Sequence, residues 1–114
     1  GKNIDADKTS EKGKTRYDLK GPLFFASVAS FKELFDFEND GEHVFIDFKE
    51  SRIWDHSGIE ALQNITERYA KENKKLHLLN LGPDCQQLLG KAQNIVELSI
   101  KEDAHWHVAD DQLD

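Results

Sequence analysis

Apolar and polar positions follow different rhythms along this chain, and each change of rhythm predicts a new element. Val44, Phe45, Ile46 and Phe48 surround a lone Asp47, a run that predicts a central strand covered on both faces rather than one with a wet side. From Ser57 the period becomes helical, with Ile59, Leu62, Ile65 and Tyr69 on one stripe. Asn73 stands where a left-handed residue can end that helix, and Leu76, Leu78, Leu79 and Leu81 predict the next strand. Strand, helix and strand in this order predict a parallel βαβ unit with a right-handed crossover. Gly82 followed by Pro83 reads as the start of a further helix with Cys85, Leu88, Leu89 and Ala92 facing inward. Ile95, Val96, Leu98 and Ile100 predict a last strand.

Upstream, Arg16 to Lys20 alternates charged and apolar side chains, as in an antiparallel strand with one solvated face. Gly21-Pro22 is expected to interrupt the pairing, because proline has no amide and fixes its φ. Leu23 to Phe25 predicts a short second strand, and Phe24, Val28, Phe31 and Phe35 then fall at helical spacing, a core stripe. Glu38-Asn39-Asp40-Gly41 predicts a turn. Residues 1–14 carry only Ile4 as a large apolar side chain, too little to offset the entropy of ordering, so a flexible linker is expected. The domain body is placed at 15–108, and 109–114 form an acidic C-terminal tail.

The length, 114 residues without internal repeats, suits one domain with one core. With 22 acidic against 15 basic residues, the net charge of −7 argues against nucleic acid and anionic lipid as primary partners, since both are bound through clustered Lys and Arg. A lone cysteine, Cys85, allows no internal disulfide and fits a reducing compartment. No apolar run approaches the roughly 18 residues needed to span a bilayer, and no signal peptide is visible. The chain opens on Gly1 rather than Met, as a processed or excised piece of a larger protein would.

The candidate chemistry gathers where the Val44 strand runs into the Ser57 helix. Ser57 and Glu60 have the S-x-x-E spacing of a capping box, so Ser57 is expected to cap the helix and Ser57→Ala to cost about 0.5–2 kcal/mol. The same hydroxyl is a candidate phosphorylation site: a phosphate would sit beside Asp55 and Glu60, yet at the positive end of a helix dipole. Trp54, an aromatic amid the charges of the expected loop from Glu50 to Asp55, is a candidate interface anchor. Together Trp54, Asp55, His56, Ser57 and Gly58 form the candidate binding and regulatory surface, at the carboxyl end of a strand where parallel sheets offer crevices.

An enzymatic reading fails on its details. Asp47 ends a buried strand, but an Asp-x-Asp phosphatase needs an acid where Lys49 stands, and a receiver domain needs an acidic pair where Arg16 to Lys20 offers only Asp18. Asp55, His56 and Ser57 are neighbours in one loop, which rarely supplies triad geometry. His105 and His107 flank Trp106, but two ligands fall short of the four of a structural metal site, so a tail docked through Trp106 is expected and no metal is assigned. Cys85, on the Leu88 and Leu89 face, reads as an inert buried thiol.

The order of elements, Gly21-Pro22-Leu23-Phe24-Phe25 and Asp55-His56-Ser57-Gly58 together resemble STAS domains, the sulfate-transporter and anti-sigma-factor-antagonist modules, over about residues 15–108. The Gly-Pro-Leu-Phe-Phe segment and the stretch from Glu102 to Ala109 are most similar to the C-terminal cytoplasmic domain of bacterial SulP-type anion permeases. The resemblance implies an α/β fold with a STAS-like mixed sheet of four or five strands and helices packed mainly on one face. It implies a non-catalytic regulatory and protein-interaction domain with no cofactor. Such a domain lies on the cytoplasmic side of the bacterial inner membrane, at the end of a proton- or sodium-linked transporter of sulfate or of the carboxylate and bicarbonate class. Its implied partners are the transmembrane portion of the same transporter, a cytosolic protein, and a second copy within a homodimer of the parent protein, without membrane insertion of the domain itself. The other reading is a free-standing anti-sigma factor antagonist, in which the serine matching Ser57 is phosphorylated by a partner kinase. His56 stands where those antagonists often carry a second serine, a departure that argues against kinase control.

Overall fold

A computed structural model describes residues 3–89 and the backbone of 97–99. Among these residues five strands lie in sequence order across one sheet: β1 (Asp5–Glu11), β2 (Lys14–Leu23), β3 (His43–Ile53), β4 (Lys75–Leu79) and β5 (Glu97–Ser99). β1 and β2 form an antiparallel hairpin, and every other neighbouring pair is parallel. A 3-10 turn at Phe25–Ser27 leads into the short helix α1 (Val28–Lys32), while α2 (His56–Lys71) and α3 (Pro83–Leu89) follow β3 and β4.

The core lies between the helices and one face of the sheet, where Tyr17, Leu19, Val44, Ile46 and Leu78 meet the Ile59, Leu62, Ile65 and Tyr69 stripe of α2. Burial of each aliphatic side chain of that stripe contributes roughly 1.5–3 kcal/mol. Among the described residues the opposite face holds a small cluster, Phe45 with Leu79. Asn73 ends α2 at a φ of 61°, as its side chain tolerates. Leu88 is 47% exposed, which corrects its inward assignment, whereas Leu89 is buried. Ala92, Ile95, Val96, Ile100, the His105-Trp106-His107 segment and the 109–114 tail lie outside the described residues.

Several boundaries differ from the sequence-based expectation. The 1–14 linker is corrected first: residues 5–11 are β1, and Ile4 is 3% exposed. Pairing with β2 supplies the ordering that apolar burial cannot, and Gly13, at a φ of 68°, closes the turn between the strands. Gly21-Pro22 does not break β2. The ladder with β1 ends at Lys20, so Pro22 sits where β2 is paired on one side only and a missing amide is tolerated. Leu23 ends β2 rather than beginning a second strand, and helix α1 is five residues long, so Phe35 reaches the core from the turns that follow it.

β3 is eleven residues long and absorbs most of the expected Glu50–Asp55 loop. Its register against β2 shifts between Asp18 and Lys20, where Phe48 and Lys49 together oppose Leu19. This bulge exchanges the two faces, so Val44, Ile46 and Phe48 point into the core before it and Ile53 packs there after it.

Away from this end, Asp40 is buried and ties the molecule together. Its Oδ2 accepts from Tyr17 Oη and Tyr69 Oη, each at 2.6 Å, and its Oδ1 lies 3.1 Å from Lys8 Nζ. One carboxylate thus joins β1, β2 and α2. Burial first, and the Asp40 hydrogen bond next, push both phenols above their ordinary range.

Candidate docking surface

The connection from β3 to α2 is only Trp54 and Asp55, and Asp55 organises it. Asp55, in extended backbone, is the cap of α2: its Oδ1 accepts from Gly58 N–H at 3.0 Å, satisfying one of the orphan amides of the first turn. Its Oδ2 accepts from Phe25 N–H at 3.0 Å, tying the 3-10 turn to the helix start. The expected Ser57 cap is therefore corrected. The helix begins at His56, two residues before the start that a Ser57 cap implies, which places Ser57 inside the first turn. An aspartate at the cap position offers two acceptor oxygens and a charge that suits the helix dipole, and here it prevails over the serine.

The same junction presents aromatic rings to solvent. Trp54 is 63% and Phe25 71% exposed, and Phe24 bridges them, its ring centroid 4.9 Å from that of Trp54 and 5.5 Å from that of Phe25. Backbone bonds fix this ridge. Trp54 N–H donates to Leu23 O at 3.0 Å, and the buried Ser27 Oγ accepts from Phe24 N–H at 3.0 Å while donating to Pro22 O at 2.8 Å. Gly58 is packed so closely that a Cβ would lie 2.8 Å from both Leu23 O and Ile53 Cγ2.

Trp54, Asp55, His56, Ser57 and Gly58 are thus contiguous in space as well as in sequence, but only part of the group faces outward. His56 is exposed, its Nε2 3.4 Å from Glu60 Oε2 one turn on. Ser57 is half-buried and lines a hollow of about 350 Å³ with Phe25, Val28, Lys32 and Glu60. Phe25 and Ser27 escaped the sequence reading. The available signal was that Phe25 lies off the helical stripe of Phe24, Val28, Phe31 and Phe35, the position of a residue with no core to face.

Among the described residues the carboxylates and the histidine of this junction are engaged in structural contacts. Both oxygens of Asp55 accept backbone amides, and the His56 ring lies against Glu60, so the three neighbours form no relay. Asp47, 3% exposed, accepts from Arg16 at 2.6 Å and from Asn80 Nδ2 and Lys49 N–H, each at 2.8 Å. A carboxylate so saturated locks strands together. Burial, with Asp84 nearby, pushes the Cys85 thiol up and keeps it protonated. Among the described residues no three His, Cys, Asp or Glu side chains gather as metal ligands, and no helix is long and apolar enough to cross a membrane.

A mixed sheet with its helices on one face and an exposed aromatic ridge at a strand-to-helix junction define a small α/β module. Residues 5–105 match the STAS domain family, and the chain belongs to it. STAS domains are regulatory or interaction domains, related both to the C-terminal domains of SulP and SLC26 transporters and to anti-sigma factor antagonists. Over 73 residues, 64% of the chain, it is 34% identical to the putative sulfate transporter YbaR of Bacillus subtilis (strain 168), and this match spans 15% of that protein. An antisigma-factor antagonist STAS domain from Rhodobacter sphaeroides superposes with a TM-score of 0.63 at 26% identity, covering 82% of this chain and 96% of that one. The murine anion transporter Slc26a9 shares the fold at 15% identity, with a TM-score of 0.72 over 100% of this chain and 23% of its own length.

Proposed function

We propose that this domain is a non-catalytic regulatory and protein-interaction module at the cytosolic end of a SulP-type secondary anion transporter, of the sulfate or carboxylate and bicarbonate class. It docks on the transmembrane portion of the same protein, on the cytoplasmic side of the bacterial inner membrane. The observation that carries this reading is the exposed Trp54 and Phe25 ridge, held rigid by Asp55 and Ser27. Large aromatics fixed in an exposed position make contact area at little entropic cost, which is how interface anchors work. The likeness to a putative sulfate transporter supports the choice of partner. The coding sequence upstream of Gly1 tests it: a set of hydrophobic helices ending shortly before Lys2 is expected, and a start codon at this point overturns it.

The second reading, a free-standing antagonist switched at Ser57, is favoured by the likeness to the Rhodobacter domain and by the place of Ser57 in the first turn of α2. A phosphate there gains from the helix dipole and from Lys32 in the same hollow, against Asp55 and Glu60. Intact-mass measurement of the protein isolated from its own cells separates the two. Substoichiometric phosphate at Ser57 supports the switch, and none under any growth condition removes it.

A further inference from the structure

At the end of the sheet remote from Trp54, His43 opens β3 and His77 lies on the neighbouring strand β4. His43 Nδ1 is 3.0 Å from His77 Nε2. The two rings meet edge to edge, their planes 25° apart and their centroids separated by 5.2 Å, while Phe45 stacks on His77 at 4.5 Å. His77 is 9% exposed and His43 half-buried, so water replaces this contact poorly. Ring nitrogens at that separation require one N–H and one lone pair between them.

We propose that His43 and His77 form a proton-limited seam between β3 and β4, which accepts one extra proton but opens when it receives two. The first proton binds a ring nitrogen facing away from the contact, leaving an imidazolium that still donates to the lone pair of its neutral neighbour. A second proton removes that lone pair and sets two charged N–H groups head to head. The surroundings sharpen the limit. Lys14 of β2 and Lys75 of β4 are the register partners of His43 on either side and oppose further positive charge, while Glu42 favours it. Glu97 of β5 is the register partner of His77. Burial, followed by the His77 ring, holds the His43 imidazole below its ordinary value of 6.5.

The sign follows from linkage. A depressed imidazole binds its proton more readily in the unfolded chain, so the stability it confers is present above pH 6.5 and is lost as pH falls below it. The seam thus loosens on mild acidification, at the end of β3 away from the docking ridge.

Imidazole resonances of the whole chain, followed by heteronuclear NMR across pH 4.5–8, roughly the range in which histidine titrates, test this directly. His43 is expected to titrate below 6.5 with a fixed tautomer, and His77→Phe to raise its midpoint. In parallel, His43→Asn, which has no basic nitrogen, is expected to lessen the fall in urea midpoint on acidification. A wild-type His43 midpoint at or above 6.5, a midpoint indifferent to His77→Phe, or an unchanged acid loss in His43→Asn overturns the proposal. Should either variant fail to fold, the wild-type titration and tautomer still decide.

Discussion

Asp55→Ala separates the two ways of starting α2. It removes the acceptor for Gly58 N–H at 3.0 Å and the acceptor for Phe25 N–H at 3.0 Å. Loss of an aspartate cap costs about 0.5–2 kcal/mol, typically about 1. The Phe25 bond is charge-assisted but exposed, so it adds about 0.5–1 kcal/mol. The sum is about 2 kcal/mol, which for a chain of 114 residues lowers the melting temperature by roughly 8 °C. Asp55→Asn keeps a cap oxygen but only one acceptor, and is expected to fall about halfway. Ser57→Ala, which leaves the cap untouched, is expected to lie within about 0.5 kcal/mol of wild type. Urea unfolding followed by far-UV circular dichroism reads all three against the wild type. If Ser57→Ala costs as much as Asp55→Ala, the serine is the cap after all and the helix begins two residues later.

Other outcomes follow from the packing and charge. Gly58→Ala drives a Cβ to within 2.8 Å of Leu23 O, a backbone atom that cannot swing aside, and overpacking by about 1–3 kcal/mol outweighs the helix-propensity gain of under about 1 kcal/mol; a urea midpoint at or above wild type counts against the close approach. Asp40→Asn leaves Tyr17, Tyr69 and Lys8 sharing one poorer acceptor, and a loss of about 3 kcal/mol is expected by the same melt. Because the raised phenols of Tyr17 and Tyr69 keep their protons in the folded state, the stability they confer is whole below pH 10 and is lost as pH rises above it. Tyr69→Phe should blunt that alkaline loss, and an unchanged alkaline limb would contradict it. Trp54→Ala and Ser57→Asp should weaken partner binding several-fold with the circular dichroism unchanged; wild-type affinity in both would remove this surface from consideration.

The elements that sequence periodicity located are those whose partners repeat regularly. The α2 stripe of Ile59, Leu62, Ile65 and Tyr69 and the β3 run from Val44 to Phe48 are each set by one uninterrupted rhythm, and the start of α3 at Pro83 by a local Gly-Pro signal. The errors have a shared cause. β1 is ordered by pairing with β2, and its side chains are mostly exposed, so composition carries little trace of it. The far half of β3 was hidden because the bulge opposite Leu19 reverses inward and outward positions, after which Lys49, Glu50 and Arg52 read as a loop. At the junction, Asp55 and Ser57 both carry cap chemistry, and the choice between them depended on Phe25 N–H, a partner 30 residues away. The Asp40 network joins residues just as distant in sequence.

The central claim is that the Trp54 and Phe25 ridge faces the membrane portion of the parent transporter. A photo-crosslinking amino acid placed at position 25 or 54 of the full-length protein in its own membrane tests this most directly, with position 67 on the outer face of α2 as the control. Crosslinks from 25 and 54 into the membrane helices or their cytosolic loops, and none from 67, are expected. Equal labelling from all three positions, or crosslinks from 67 alone, would contradict it.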